Sequence, residues 1–183
     1  GLVAARVLMR AGRGGGASFG AAVHVASTTA LARDTIVGSR GTYGAAPEVA
    51  IGSGGTTYVA YVASVATHST VAIRRSLNRG QTWSAPRTIS TAAVSVSSLL
   101  ADGARAVIGY TDVSGGRMNA AYRTSADRGS TWSAQRAVVS RSAGQFSRGP
   151  EFATDGGVLG VIVKVGVPGF SPVRYRESAD WGA

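Results

Sequence analysis

Residues 125–132 read Ser-Ala-Asp-Arg-Gly-Ser-Thr-Trp, and the chain repeats this pattern on either side. Residues 76–83 read Ser-Leu-Asn-Arg-Gly-Gln-Thr-Trp, and a third copy begins with Ser-Ala-Asp-Trp-Gly at residues 178–182. The shared pattern is Ser-x-Asp/Asn-x-Gly-x-Thr-Trp. Its three starts are 49 and 53 residues apart. The sequence is therefore organised in repeats of about fifty residues.

Each copy has the residue types of a tight turn, and we call the copies the first turn (76–83), the second turn (125–132) and the third turn (178–182). A short acidic or amide side chain two residues after a Ser accepts hydrogen bonds from the following backbone N–H groups. The glycine two residues later supplies a backbone with positive φ. The Trp is predicted to fill apolar space between sheets while its indole N–H donates to a carbonyl.

The pattern resembles the Asp box, or bacterial neuraminidase repeat, of sialidase-like β-propellers. This resemblance implies an all-β fold in which each box is a hairpin turn of a four-stranded antiparallel blade. It also implies that the boxes lie on the rim of the propeller, away from the active-site face. The box residues are therefore expected to be structural: Ser76, Asn78, Gly80, Thr82, Trp83, Ser125, Asp127, Gly129, Thr131, Trp132, Ser178, Asp180 and Gly182.

A repeat of about fifty residues fits one blade of four strands. Short β-branched runs between Gly and Asp-Gly signals are typical of hairpin-linked strands, and no segment has a helical apolar period. We predict one all-β domain over 1–183, a partial β-propeller of about half a ring. Its predicted parts are the outer strands of one blade (3–26), two whole blades (46–90 and 96–140) and the inner strands of a further blade (149–183), with a decayed turn at Gly12 to Gly16 and a long connection over 28–45.

A half ring leaves two blade faces uncovered, and exposed apolar faces of this extent favour association. We expect the remainder of the propeller to come from the same longer protein or from a second chain.

The composition is that of a globular protein, with 44% hydrophobic and 15% charged residues. No apolar run reaches the roughly 18 residues of a membrane span, so no transmembrane segment is expected. The chain shows no secretory signal peptide. With no cysteine, the chain has no disulfide or thiolate ligand. The resemblance nevertheless implies a secreted or cell-surface bacterial protein whose signal peptide is not in this chain.

The formal net charge is +10, and all but one of the 19 basic residues are arginines. A basic surface favours anionic partners, so a glycan or another anionic polymer is an expected ligand. The arginines are scattered and are not interleaved with aromatic residues, so specific nucleic-acid binding is not expected. His24 and His68 lack acidic neighbours in the sequence, and we predict neither a metal site nor a cofactor.

The resemblance implies that catalytic members use three arginines for the sugar carboxylate, a Tyr activated by a Glu, and an acid/base Asp. The best candidates here are Arg148 and Glu151, where the inner strand of the last blade begins. Glu48 matches Glu151 by repeat position, and Ser98 takes that place in the blade between. The alternative is that these side chains lie at solvated strand ends. Tyr175 is interpreted as a repeated blade residue.

Three functions remain open from the sequence. The chain is expected to be an extracellular binding or scaffold propeller for glycan or another anionic polymer. The first alternative is an exo-sialidase-type glycoside hydrolase whose remaining catalytic residues lie outside this chain. The second is a non-glycan Asp-box propeller that acts as a protein-interaction or assembly factor.

Overall fold

The structure, a computed structural model, describes residues 2–9, 12–13, 18–19, 21–31, 47–65, 68–113, 117–140, 144–155, 157–167 and 169–182. These residues form fifteen strands and no helix. The strands are β1 (Leu2–Met9), β2 (Gly12–Arg13), β3 (Ser18–Phe19), β4 (Val23–Leu31), β5 (Glu48–Ile51), β6 (Thr57–Val65), β7 (His68–Ser76), β8 (Arg87–Ser90), β9 (Ala93–Asp102), β10 (Arg105–Asp112), β11 (Asn119–Ser125), β12 (Arg136–Ala137), β13 (Phe146–Asp155), β14 (Val158–Gly166) and β15 (Val173–Ser178).

Three antiparallel sheets follow one another along the chain. The first sheet (β5–β8) and the middle sheet (β9–β12) are four-stranded meanders, and the last sheet (β13–β15) has three strands. The first, second and third turns each follow the third strand of their sheet, after β7, β11 and β15. The prediction of an all-β chain of four-stranded antiparallel units is therefore confirmed.

The N-terminal strands add to the first sheet. β1 pairs with β4 in antiparallel register, and the backbone pair Thr29–Ser64 joins β4 to β6. Gly12 of the predicted decayed turn belongs to β2, which pairs with β3, whereas residues 14–16 and most of the predicted connection over 28–45 lie outside the described residues. In the described ranges, no helix is long and apolar enough to cross a membrane.

The inner strands β5, β9 and β13 are the first strands of their sheets. Each pairs with the second strand of its sheet in the same register. Glu48 pairs with Ala60, Ser98 with Gly109, and Glu151 with Ile162. In β9 and in β13 a one-residue bulge immediately precedes this pair. A bulge re-aims the side chain that follows it. The repeat therefore presents Glu48, Ser98 and Glu151 at equivalent places on three successive inner strands.

Alternation along β6 explains how the sheets stack. Tyr58, Ala60 and Val62 belong to the core against the middle sheet, whereas Val59 and Tyr61 pack with Val25 on the opposite face. Successive strand residues point to opposite faces, so a strand buried on both sides needs apolar residues throughout. A fully buried side chain of the size of Val contributes about 1.5–3 kcal/mol to the stability of the fold.

The sheets meet at two joints. We call the contact between the first and middle sheets the first joint, and that between the middle and last sheets the second joint. At the second joint the inner strand of the last sheet approaches Gly109 closely, because a Cβ there would lie 2.8 Å from the Phe152 ring and 3.0 Å from the Pro150 carbonyl oxygen. A side chain at Gly109 would force the two sheets apart.

Candidate functional site

The first and second turns have the same internal hydrogen bonds. The N–H groups of Gly80 and Gly129 each donate to the Oγ of the Ser four residues earlier, both at 2.8 Å. The Thr82 N–H donates to Asn78 Oδ1 at 2.9 Å, and the Thr131 N–H donates to Asp127 Oδ1 at 2.8 Å. The Ser hydroxyl in turn donates to the same Asn or Asp oxygen at 2.8 Å in both. Each turn is closed by its own side chains.

Two successive residues of each turn have a left-handed backbone. The glycines have φ of 86°, 74° and 71° at Gly80, Gly129 and Gly182. The residue before each glycine also has positive φ: 57° at Arg79, 57° at Arg128 and 61° at Trp181. The sequence pattern predicted only the glycine. A left-handed non-glycine residue costs about 1–2 kcal/mol, so the turn hydrogen bonds hold a strained backbone.

The first two turns differ in one charge. Asn78 Nδ2 donates to Thr82 Oγ1 at 2.9 Å, whereas Thr131 Oγ1 donates to Asp127 Oδ2 at 2.6 Å. The direction of this hydrogen bond is therefore reversed between an amide and a carboxylate. The side-chain and backbone hydrogen bonds from Thr131 lower the pKa of Asp127 to about 2. The second turn is thus a charged version of the first.

The third turn begins in the same way. The Gly182 N–H donates to Ser178 Oγ at 2.8 Å and to Asp180 Oδ1 at 3.0 Å, and the Ser178 hydroxyl donates to the same carboxylate. Trp181 occupies the place of Arg79 and Arg128, yet it is buried against Val107 and Leu159. A Trp here anchors the turn to the middle sheet.

The tryptophans of the first two turns are partly buried and pack against the core, but the expected indole hydrogen bond is wrong for Trp83. Trp83 packs against the cluster on the outer face of the first sheet, and Trp132 packs against the core of the first joint. The buried Nε1 atoms of Trp83 and Trp181 have no hydrogen-bond partner. These rings therefore act through apolar packing.

Trp83 and Trp132 are each followed, four residues later, by an arginine. This arginine joins its own sheet to the turn of the sheet that comes next in the chain. Arg87 of β8 donates to the Ser130 carbonyl at 2.5 Å, and Arg136 of β12 donates to the Gly182 carbonyl. We call this contact the arginine clamp. Sequence reasoning missed it, although the spacing from Trp83 to Arg87 and from Trp132 to Arg136 is the same. Part of the positive charge of the chain is therefore structural.

The carboxyl groups of Glu48 and Glu151 share one electrostatic environment at the inner strands. Burial raises the pKa of Glu48 above its ordinary value. Burial also raises the pKa of Glu151, and the negative charge of Glu48 raises it further. As the pH falls, both carboxyls therefore take up a proton earlier than a solvated Glu. The repulsion between their negative charges favours a state in which one carboxyl is ionised and the other is neutral.

The backbone on either side of Glu151 is fixed by hydroxyls of the middle sheet. The Gly149 N–H donates to Thr111 Oγ1 at 3.2 Å, and the Phe152 N–H donates to Ser98 Oγ at 3.1 Å. Both hydroxyl residues are buried, and Gly149 has a φ of 59°. The bulge before Glu151 is thus held in place by the neighbouring sheet, which places the carboxyl reproducibly.

The other catalytic candidates do not assemble around this pair in the way that the resemblance implies. The Arg148 guanidinium lies over the Phe146 ring at 5.1 Å. The Tyr175 hydroxyl donates to Glu177 Oε2 at 3.0 Å, and both residues line a cleft of about 530 Å³ with Glu151 on an exposed face of the last sheet. This hydrogen bond raises the pKa of Tyr175, so the phenolate is disfavoured. In the described part of the chain, no group of three His, Asp or Glu side chains is placed to hold a metal ion.

The structure is similar to solved glycoside hydrolases. An α-L-arabinanase from Penicillium chrysogenum in complex with arabinobiose matches with a TM-score of 0.54 and 18% identity, over 87% of this chain and 51% of that one. An α-L-arabinofuranosidase from Fusarium graminearum in complex with an iminosugar inhibitor matches with a TM-score of 0.58 and 13% identity, over 87% and 52%. A Hadza microbial sialidase covers 87% of this chain and 36% of its own at 17% identity, but its TM-score of 0.49 carries no weight.

The two arabinan-degrading enzymes show the fold. They are β-propellers, so the prediction of a partial β-propeller is confirmed. The chain spans about half the length of these two enzymes. No protein-family model matches the sequence, and no curated protein is significantly similar to it.

Proposed function

We propose that this chain is part of an extracellular Asp-box β-propeller that binds glycan at its inner strands, where Glu48 and Glu151 lie. The three turns with the Ser-x-Asp/Asn-x-Gly pattern support membership of the Asp-box group. The fold-level neighbours are enzymes of carbohydrate degradation, which favours a sugar ligand over a protein partner. Fold alone does not assign function, so the proposal depends on the residues of the site.

The observation that carries the proposal is the pair of glutamates at equivalent register on alternate inner strands. Carboxylate oxygens accept hydrogen bonds from two neighbouring hydroxyl groups at once, and sugars offer such pairs. Ser98 lies at the same register between the two glutamates and is buried. The inner strands thus offer two sets of acceptors on either side of a small residue, which suits a sugar ligand.

The second candidate is a glycoside hydrolase that uses the same two carboxyls. Glycosidases commonly need one carboxylic acid that stays protonated and one carboxylate, and neighbouring charges separate their pKa values. Burial raises the pKa of both carboxyls, and repulsion between them favours one protonated and one ionised group, so the pair can supply both the acid and the carboxylate. This scheme fits better than a sialidase-type tyrosine nucleophile, because the hydrogen bond to Glu177 raises the pKa of Tyr175.

Glutamine variants separate binding from hydrolysis in the full-length protein that contains this chain. Glu48→Gln and Glu151→Gln keep hydrogen-bonding atoms but cannot transfer a proton. Binding of arabino-oligosaccharides and sialyllactose is measured by calorimetry, and turnover is measured on nitrophenyl α-L-arabinofuranoside and a fluorogenic sialoside. A binding module shows no turnover and loses about tenfold or less in affinity. A hydrolase loses about 100-fold or more in turnover.

The matched control is Asp102→Asn, which removes an exposed carboxyl from the end of β9. It is expected to leave sugar binding and turnover unchanged. An intact protein that binds no sugar and hydrolyses neither substrate would overturn both candidates and favour a protein-interaction propeller. Equal losses in Asp102→Asn and Glu151→Gln would remove the inner strands from the proposal.

A further inference from the structure

Two arginine side chains line one cleft in the first joint, outside the inner-strand site. The cleft has a volume of about 300 Å³, and Arg75 and Arg87 lie along its walls. Among its described lining residues there is no acidic side chain. Two guanidinium groups without a counter-charge repel one another, and an anion between them would be favoured.

One buried polar atom of the cleft residues has no partner. Tyr58 is fully buried, and its hydroxyl makes no hydrogen bond. An unpaired buried donor is costly, and native structures rarely leave one without a reason. Because burial raises the pKa of Tyr58, the phenol carries its proton at neutral pH and is available as a donor.

The arginine donors are only partly used by the fold. Arg75 Nη1 donates to the Arg128 carbonyl and to Ser130 Oγ, both at 2.7 Å. Arg87 donates from Nη1 to the Ser130 carbonyl. A guanidinium group has five N–H donors, so each of these arginines keeps donors for a ligand. The carboxylate that acts on Tyr58, that of Asp127, is held inside the second turn by Thr131.

The second joint shows that the fold does not require this concentration of charge. Tyr58 pairs with Arg75 across β6 and β7, and the pair at the same register of the middle sheet is Val107 with Thr124. The second joint keeps the arginine clamp, because Arg136 fastens the third turn. Tyr58 and Arg75 are therefore additions of the first joint, where they enlarge the set of donors.

We propose that this cleft binds an acidic sugar, through the sulfate or carboxylate group of an anionic polysaccharide. The arginine donors match the geometry of an oxyanion, and the Tyr58 hydroxyl adds one neutral donor. Trp132 also lines the cleft and offers an apolar surface to the sugar ring. The volume is at the lower end for small-molecule sites and suits a single charged sugar residue. This site is independent of the glutamate pair.

The test compares two variants that remove the same charge. Arg87→Met removes a guanidinium that lines the cleft, and Arg136→Met removes the arginine at the equivalent place in the second joint. Binding of sulfated dextran oligosaccharide, galacturonate oligomer and neutral dextran of equal length is measured by calorimetry on the full-length protein. We expect Arg87→Met to lose about tenfold or more in affinity for at least one charged oligomer, and Arg136→Met to lose little. The oligomer that responds identifies the anionic group.

Tyr58→Phe tests the site without changing charge, and it keeps the ring against Gly129. It is expected to weaken charged-oligomer binding about fivefold and to leave the thermal transition of the free protein unchanged or raised, since an unpaired hydroxyl is removed. Equal losses in Arg87→Met and Arg136→Met would assign binding to net charge and overturn the site. Unchanged affinity in a folded Tyr58→Phe together with a folded Arg87→Met would overturn it as well.

Discussion

The two joints are built on the same plan and differ in what they add to it. In each, a turn of one sheet lies on the preceding sheet, and an arginine four residues after the Trp position donates to a turn carbonyl. The first joint adds Tyr58 and Arg75, and the second adds Tyr122, whose hydroxyl donates to the Gly182 carbonyl at 3.2 Å. The arginine clamp, which both joints share, is therefore the part that the fold requires.

Comparing the joints shows which arginines are needed to hold a turn and which are in excess of that need. One neutral tyrosine, one arginine and the buried Trp181 fasten the third turn. The first joint uses two arginines, Arg75 and Arg87, for the second turn. Charge in excess of what the joint needs therefore lies in the first joint, and variants that change one joint at a time can test this assignment.

The largest expected effect comes from the turn glycines. Gly129→Ala places a Cβ 2.8 Å from the fully buried Tyr58 ring, whereas Gly182→Ala places one 2.9 Å from the hydroxyl of the less buried Tyr122. Both have positive φ. Gly129→Ala is expected to lower the free energy of unfolding by about 3 kcal/mol or more, and Gly182→Ala by about 1–2 kcal/mol, in urea titrations.

Gly54→Ala is the control for backbone strain alone, because Gly54 has a φ of 91° and nothing within 4 Å of a Cβ. It is expected to cost about 1 kcal/mol. A loss in Gly129→Ala no larger than in Gly54→Ala would contradict the close contact at the first joint.

The charge of the second turn gives the next largest effect. Asp127→Ala removes acceptors for Thr131 and is expected to cost about 1–3 kcal/mol at neutral pH. Asp127→Asn restores the amide found in the first turn and is expected to cost less. The measurement is urea unfolding of each variant beside the parent protein.

The same carboxylate predicts a pH dependence of stability. Because the folded-state pKa of Asp127 is about 2 and lies below its ordinary value of 3.8, ionised Asp127 stabilises the fold above about pH 4. This contribution is lost as the pH falls through about 2. Asp127→Asn is therefore expected to flatten the stability profile between about pH 4 and 2. An unchanged slope would mean that the carboxylate is not held by Thr131.

The arginine clamps are expected to contribute similarly at both joints. Arg87→Met and Arg136→Met each remove a donor to a turn carbonyl while keeping an apolar stem, and each is expected to cost about 1 kcal/mol. Arg117→Met removes the same charge from an exposed side chain and should change stability by less than about 0.5 kcal/mol. Losses in the clamp variants no larger than in Arg117→Met would show that the shared contact is not what holds the joints.

The smallest expected effect is a gain. Arg128 has a φ of 57° and an exposed side chain, and only its carbonyl is used by Arg75. Arg128→Gly is therefore expected to raise the free energy of unfolding by up to about 1 kcal/mol, since glycine adopts this backbone readily. A decrease would mean that the side chain has a role at the first joint.

Local features of the fold could be predicted from the sequence because each is complete within a few residues. The turn hydrogen bonds span at most four residues. The match of Glu48 with Glu151 needed only the repeat register, which the strand pairing reproduces.

The remaining features depend on partners that are distant in sequence. Arg87 contacts a carbonyl 43 residues away, and Arg136 one 46 residues away, so no local pattern distinguishes them from surface arginines. The left-handed backbone at Arg128 conflicts with its intrinsic preference. The unpaired indole of Trp83 follows from the depth of its burial in the assembled core. These features could be found only after the sheets had been placed together.

Each clamp runs from one sheet to the turn of the sheet after it, so the contacts that hold the successive sheets together all point in one direction along the chain. A pull that detaches the last sheet must break the contact from Arg136 before it can load the contact from Arg87. Mechanical unfolding would therefore proceed in separate steps, one sheet at a time, beginning with the last sheet.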